Sequence, residues 1–114
     1  MIQNSIDLQM TPGGIMPRVH VSQHESGSRT LVFRMWDGES EYRVPTGCKA
    51  TLYGRRPDGV GFSVRCIVSN GLLSANVTSD MTFCAGKTEC EIEIVTGQTR
   101  VSTEKFVLLV ERAS

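Results

Sequence analysis

The chain has 114 residues, the size of one domain, and is long enough to bury a single core without a structural metal or disulfide. Twelve Lys and Arg balance twelve Asp and Glu, so no net field draws in nucleic acid or an anionic membrane surface. An apolar share of 39% argues against disorder, and the longest apolar run near the C-terminus, 106–110, is far too short for a membrane-spanning helix.

In chain order, "MIQNSIDLQM" lacks the basic start and apolar centre of a signal peptide. Residues 1–14 read as a flexible N-terminal arm that "TPGG" separates from a single β-sandwich domain over 15–114. From there period-two alternation dominates and helical periodicity is missing. Strands are expected near 15–23, 29–36, 40–44, 49–56, 61–68, 72–77, 88–96 and 100–111. "TLVFRMW" sets Leu31, Phe33 and Met35 against Val32, Arg34 and Trp36. "FSVRCIV" sets Phe62, Val64 and Cys66 against Ser63, Arg65 and Ile67. "ECEIEIV" turns Cys90, Ile92 and Ile94 inward and Glu89, Glu91 and Glu93 to water. "KFVLLVE" is apolar on both sides, which suits a central strand or one covered by a partner. The turn signals agree: Asp37-Gly38, Pro57-Asp58-Gly59, Asn70-Gly71 and Gly97-Gln98 fall between the strands. Only 78–87 resembles a helical turn or an irregular crossover. The predicted fold is therefore all-β, an antiparallel sandwich of about eight strands.

Residues with chemical potential are sparse. Cys48, Cys66, Cys84 and Cys90 form no Cys-x-x-Cys pair, and neither His20 nor His24 is spaced from them as a zinc ligand, so no metal and no cofactor is expected. Cys66 and Cys90 fall on the apolar phase and read as small buried hydrophobes. The carboxylates of Glu89, Glu91 and Glu93 lie along a rigid strand, where a solvated face explains them better than calcium or glycoside chemistry. Asp7, His20 and His24 with Ser22 or Ser28 could be assembled into a triad, but no nucleophile elbow surrounds either serine. No enzyme is expected.

"GRRPDGVGF" reads first as a hairpin. Pro57 presets φ, Asp58 caps the turn and Gly59 supplies positive φ. Arg55 and Arg56 would need a following helix start to cradle phosphate, and none follows. Nine of the twelve cations are arginine, the cation best suited to bidentate protein contacts. Arg34, Trp36, Arg55 and Arg56 are the candidate interface residues, since Trp and Arg are enriched at binding hot spots.

Four pieces of the chain occur in a familiar order: Tyr42, Val44, Pro45 and Gly47; the Gly-Arg-Arg-Pro-Asp-Gly hairpin at 54–59; Ala85-Gly86 ahead of the strand Glu89 to Ile94; and Thr103, Phe106, Leu108 and Val110 at the close. Over residues from about 15 to 111 the chain resembles the N-terminal domain of the phage baseplate upper protein (BppU) family. The resemblance implies an immunoglobulin-like sandwich without catalytic function. It would be a virion structural module of the tail baseplate, assembled in the host bacterial cytoplasm. Its partners would be the distal tail protein and, further out, receptor-binding proteins, and it would form a homo-oligomer. The competing expectation is a carbohydrate-binding module, which would need Trp36, Tyr42 or Tyr53 exposed and coplanar.

Overall fold

The structure, a computed structural model, describes residues 1–113. Eleven strands account for its regular structure: β1 (Ile2–Gln9), β2 (Arg18–Ser22), β3 (Arg29–Asp37), β4 (Ser40–Tyr42), β5 (Lys49–Arg55), β6 (Gly61–Arg65), β7 (Ile67–Ser69), β8 (Leu72–Asn76), β9 (Gly86–Thr96), β10 (Thr99–Ser102) and β11 (Phe106–Glu111). They form two sheets. Sheet A has the order β1-β3-β8-β7, with β4 also on β3. Sheet B has the order β2-β11-β9-β5-β6, with β10 also on β9.

The expected all-β sandwich is present, and alternation explains it. On β3, Leu31, Phe33 and Met35 are fully buried. Opposite them lie Leu52 of β5, Ile92 of β9, and Phe106 and Leu108 of β11. Phe33 and Phe106 meet across the sheets with ring centroids 5.2 Å apart. Each such side chain contributes roughly 1.5–3 kcal/mol by leaving water. Cys66 and Cys90 lie in this core as expected. The doubly apolar β11 is central, between β2 and β9.

Several boundaries differ from the expectation, each for a local reason. Residues 2–9 are not an arm. They form β1, paired in parallel with β3 from Ile2↔Arg29 to Gln9↔Trp36, and they bury Ile6 and Leu8. The polar Asn4, on the inward phase, is satisfied by Arg29 Nη1 at 2.5 Å, a partner that only folding supplies. The sandwich is also not purely antiparallel, because β2 runs parallel to β11 as β1 does to β3. The chain leaves sheet A at Gln9, crosses at the edge and turns back, so that β2 descends sheet B against the direction of β1. The first expected strand begins at Arg18 rather than 15, after Pro17, which has no N–H to donate.

The expected strand 61–68 divides at Cys66. Cys66 N–H still bonds Ala50 O in sheet B at 2.9 Å, while Ile67–Ser69 pairs with β8 in sheet A. The last expected strand, 100–111, divides at 103–105. Thr103 continues the ladder by donating N–H to Ile92 O at 2.9 Å, while its Oγ1 accepts the Ile92 N–H at 3.0 Å. Glu104 then turns away to meet β1. Its Oε2 accepts the Gln9 N–H at 2.8 Å, and its own N–H bonds Gln9 O at 3.0 Å. This reciprocal clasp ties the edge of sheet A to sheet B. The crossover after β1 passes over it, and a Cβ added at Gly14 would stand 3.2 Å from Glu104 Oε1. Residues 78–85 form turns without a helix, and Met81 and Thr82 plug one end of the sandwich.

Gly54 of β5 faces Phe62 of β6 across the strand pair, and the Phe62 ring lies directly over it. A Cβ at Gly54 would overlap that ring. Gly54→Ala should therefore destabilise the domain by about 1–3 kcal/mol, the usual cost of overpacking. A calorimetric thermal midpoint checks it. Gly61→Ala, whose added Cβ meets nothing closer than 3.7 Å, should cost less.

Candidate interface

The two outer faces of the sandwich differ in charge. On sheet B, β9 alone turns Lys87, Glu89, Glu91 and Glu93 outward, and β5 adds Lys49 and Arg55. On sheet A, β1 contributes Gln3, Ser5, Asp7 and Gln9, and β3 contributes Thr30, Val32, Arg34 and Trp36. Leu72 and Ser74 of β8, Ile67 of β7 and Glu41 of β4, the register partner of Trp36, lie on the same face, where charge is sparser than on sheet B. Ile67 is 64% exposed. Depletion of charge around aromatic, aliphatic and arginine side chains is the composition of a protein contact surface.

Trp36 and Arg34 sit together here, two residues apart on β3. Trp36 is half-buried on the outer face, not in the core. Its Nε1–H donates to Asp7 Oδ1 at 2.9 Å, which fixes the indole against β1. Asp7 is the register partner of Arg34. Arg34 is exposed and makes no ion pair among the described residues. Asp7 escaped attention as an interface residue because it belongs to the expected arm. The alternation of Ile6 and Leu8 around it was the available signal.

Arg55 and Arg56 lie elsewhere, in the β5–β6 hairpin at the other end of the sandwich. Gly59 N–H bonds Arg56 O at 2.9 Å, and Arg56 N–H bonds Val60 O at 3.0 Å, closing the turn as expected. Gly59 has φ +86°, which a glycine adopts without strain. Arg55 Nη1 donates to Gly59 O at 2.7 Å. The Arg56 guanidinium grips Asp58 at 2.7 Å and 3.1 Å, stands 3.9 Å from Asp80, and stacks 4.8 Å from the Phe83 ring centroid. Its side chain is 11% exposed. Arg55 thus braces the turn from within, and Arg56 staples it to the 78–85 crossover.

The chemistry considered from sequence does not assemble. Asp7 and His20 line one open groove between β1 and β2, but Asp7 is held by Trp36 and His20 by Glu111 at 3.5 Å. Among the described residues no group of three or more His, Cys, Asp or Glu could hold a metal. Trp36 is on the face of sheet A, Tyr53 on the face of sheet B, and Tyr42 packs against the core. The three share no platform for a sugar ring.

The sandwich is similar to a phage protein's N-terminal domain. That domain, from phage TP901-1 ORF48, is 15% identical to this chain. The match covers 97% of this chain and 99% of that one, with a TM-score of 0.73. No protein-family model and no curated protein sequence matches. The likeness extends over β1 as well as the sandwich, since so little of either chain is left out.

The Arg56 guanidinium, followed by the Val60 N–H, holds the Asp58 carboxyl well below the ordinary carboxylate range. A lowered pKa means that the staple is present above the ordinary carboxylate value and is lost only as pH falls through the lowered one. An NMR titration should find Asp58 still ionised at pH 3, and Arg56→Ala should raise its midpoint toward the ordinary value near 3.9, short of it by what the Val60 N–H still contributes. Burial pushes the Cys66 thiol up to about 11 and the Cys90 thiol up to about 12. At pH 8 iodoacetamide should therefore label Cys48 and Cys84, both only half-buried, well before Cys66 and Cys90. Mass spectrometry of the native digest reads the order.

Proposed function

We propose that the chain is a virion structural module of the phage tail, a non-catalytic domain that docks other tail proteins through the outer face of sheet A. The observation that carries this reading is the match along nearly the whole chain to a phage protein domain, on a sandwich whose low-charge face presents Trp36 and Arg34. The resemblance of the hairpin and strand motifs to the baseplate upper protein family supports the finer statement. On that reading the module belongs to the tail baseplate, where it joins the core, through the distal tail protein, to receptor-binding components, and it is assembled in the host cytoplasm.

The contact physics suits such a role. A half-buried indole already held by a carboxylate loses little conformational freedom on docking. The adjacent Arg34 guanidinium, without an ion pair among the described residues, supplies a bidentate donor for a partner carboxylate or carbonyl. The flanking Val32, Leu72 and Ser74 are small enough to let a partner approach the sheet closely. A carbohydrate-binding role has no comparable support, because the aromatic side chains are dispersed over separate surfaces.

Titration calorimetry with the distal tail protein and the receptor-binding protein of the phage or prophage that carries this chain tests the proposal. A complex is expected with at least one of them. Trp36→Ala should weaken it by about 2 kcal/mol or more, as hot-spot truncation does. Arg65→Ala, on the outer face of sheet B, should leave it unchanged. Absence of binding to both proteins, or equal binding by the Trp36 variant, would overturn the assignment.

A further inference from the structure

We propose that β1 is a self-pairing edge: two copies of the chain join antiparallel along Ile2–Leu8 with Ser5 on the two-fold axis, so that sheet A continues from one copy into the other. The direction of the backbone groups carries this. Ile2 N–H bonds Ser28 O at 3.0 Å and Met10 N–H bonds Trp36 O at 2.8 Å, so the even-numbered residues of β1 face β3. The odd-numbered residues turn their N–H and C=O to the opposite side, where β1 has no neighbouring strand. Gln9 is satisfied there by the Glu104 clasp. Gln3, Ser5 and Asp7 remain, each with a free donor and a free acceptor.

This pattern selects both a partner and a register. Two residues exchange both hydrogen bonds in an antiparallel pair only if both point toward the other strand. With the axis at Ser5, Ser5 meets Ser5 of the partner subunit, and Gln3 meets Asp7 of the partner subunit. Every free group is then used. With the axis at Ile6, Gln3 would face Gln9, which Glu104 already occupies. With the axis at Asn4, Asp7 would face Met1, beyond the start of the strand. Pairing with the axis at Ser5 stops at Ile2 against Leu8, just short of the clasp.

Side chains agree with this register. The carboxylate of Asp7, which already accepts from Trp36, comes opposite the amide of Gln3 of the partner subunit, so no like charges stand directly across. Ile2, 52% exposed in the single chain, comes opposite Leu8 of the partner subunit. An open groove of about 480 Å³ between β1 and β2 leaves room beside the edge. The other sheet edges are short or protected in the usual ways, and β4 and β10, each paired on one side, have only three and four residues. β7 has three residues, β2 follows Pro17 and carries Arg18 and His20, and β6 ends in Arg65. The eight residues of β1 carry one charge, that of Asp7.

The proposal deepens the structural-module reading by naming one partner, yet its test uses the pure chain with no tail protein present. Sedimentation equilibrium should find a dimer. Ser5→Lys and Ser5→Glu, both at an exposed outward position, should each weaken it by about tenfold or more while circular dichroism stays unchanged. An equimolar mixture of the two variants should restore association, because residue 5 meets residue 5 in this register alone. A chain that stays monomeric up to about 1 mM, a Ser5→Lys dimer of unchanged affinity, or a mixture that fails to associate would each overturn the proposal. A monomer that still binds a tail protein would remove the self-pairing and leave the docking role standing, and a dimer that binds none would do the reverse.

Discussion

Phe33 and Phe106 touch near the middle of the sandwich, one from the third strand and one from the last. The rest of the structure depends on that level being kept. On each long strand every second residue must reach the same layer, because a slip of one position would send a whole apolar set to water. Leu31 and Met35 flank Phe33, and Leu108 and Val110 follow Phe106. Ile92 and Leu52 fill the layer from the neighbouring strands. The fold needs no disulfide, and its four cysteines are free thiols.

A second constraint is polar. Glu104 is 5% exposed, yet it lies where the two sheets meet and exchanges hydrogen bonds with Gln9. This contact explains why the final strand is interrupted and why the first strand ends where it does. Glu104 Oε1 has no hydrogen-bond partner beneath the Gly13-Gly14 crossover. An unpartnered buried oxygen costs about 1–3 kcal/mol, which the domain tolerates at the corner that locks its N-terminal strand in place.

These two constraints also organise the surface. The core consumes the inward phase of every long strand, so function is left to the outward phase and to the edges. On sheet B the outward phase is charged, which keeps that side soluble. On sheet A charge is sparser, and Trp36, Arg34 and Asp7 form a small cluster there. The clasp, by closing one end of β1, leaves a defined length of open edge beside that cluster. A face and an edge that adjoin one another suit a module that assembles with neighbours, and the hairpin arginines serve instead to hold the turn at the far end.

Alternation along "TLVFRMW" and "ECEIEIV" was enough to establish an all-β sandwich and the inward cysteines, because period two is a property of the chain itself, whereas the doubly apolar "KFVLLVE" left a central strand and a partner-covered one equally open until the sheet order decided for the first. The Pro-Asp-Gly hairpin was legible for the same reason: its conformation is local. Strand direction and partnership were not, since a parallel and an antiparallel strand alternate alike. Residues 2–9 read as an arm because Asn4 breaks the apolar phase, and Arg29, which satisfies it, is distant in sequence. Trp36 and Arg34 were visible as residue types, but Asp7 joined them only when β1 lay beside β3. Arg56 looked free until the crossover brought Asp80 and Phe83 to it. Local periodicity and turn chemistry are written in the sequence, whereas which strand neighbours which, and so which side chains share a surface, is decided only when distant segments are brought together.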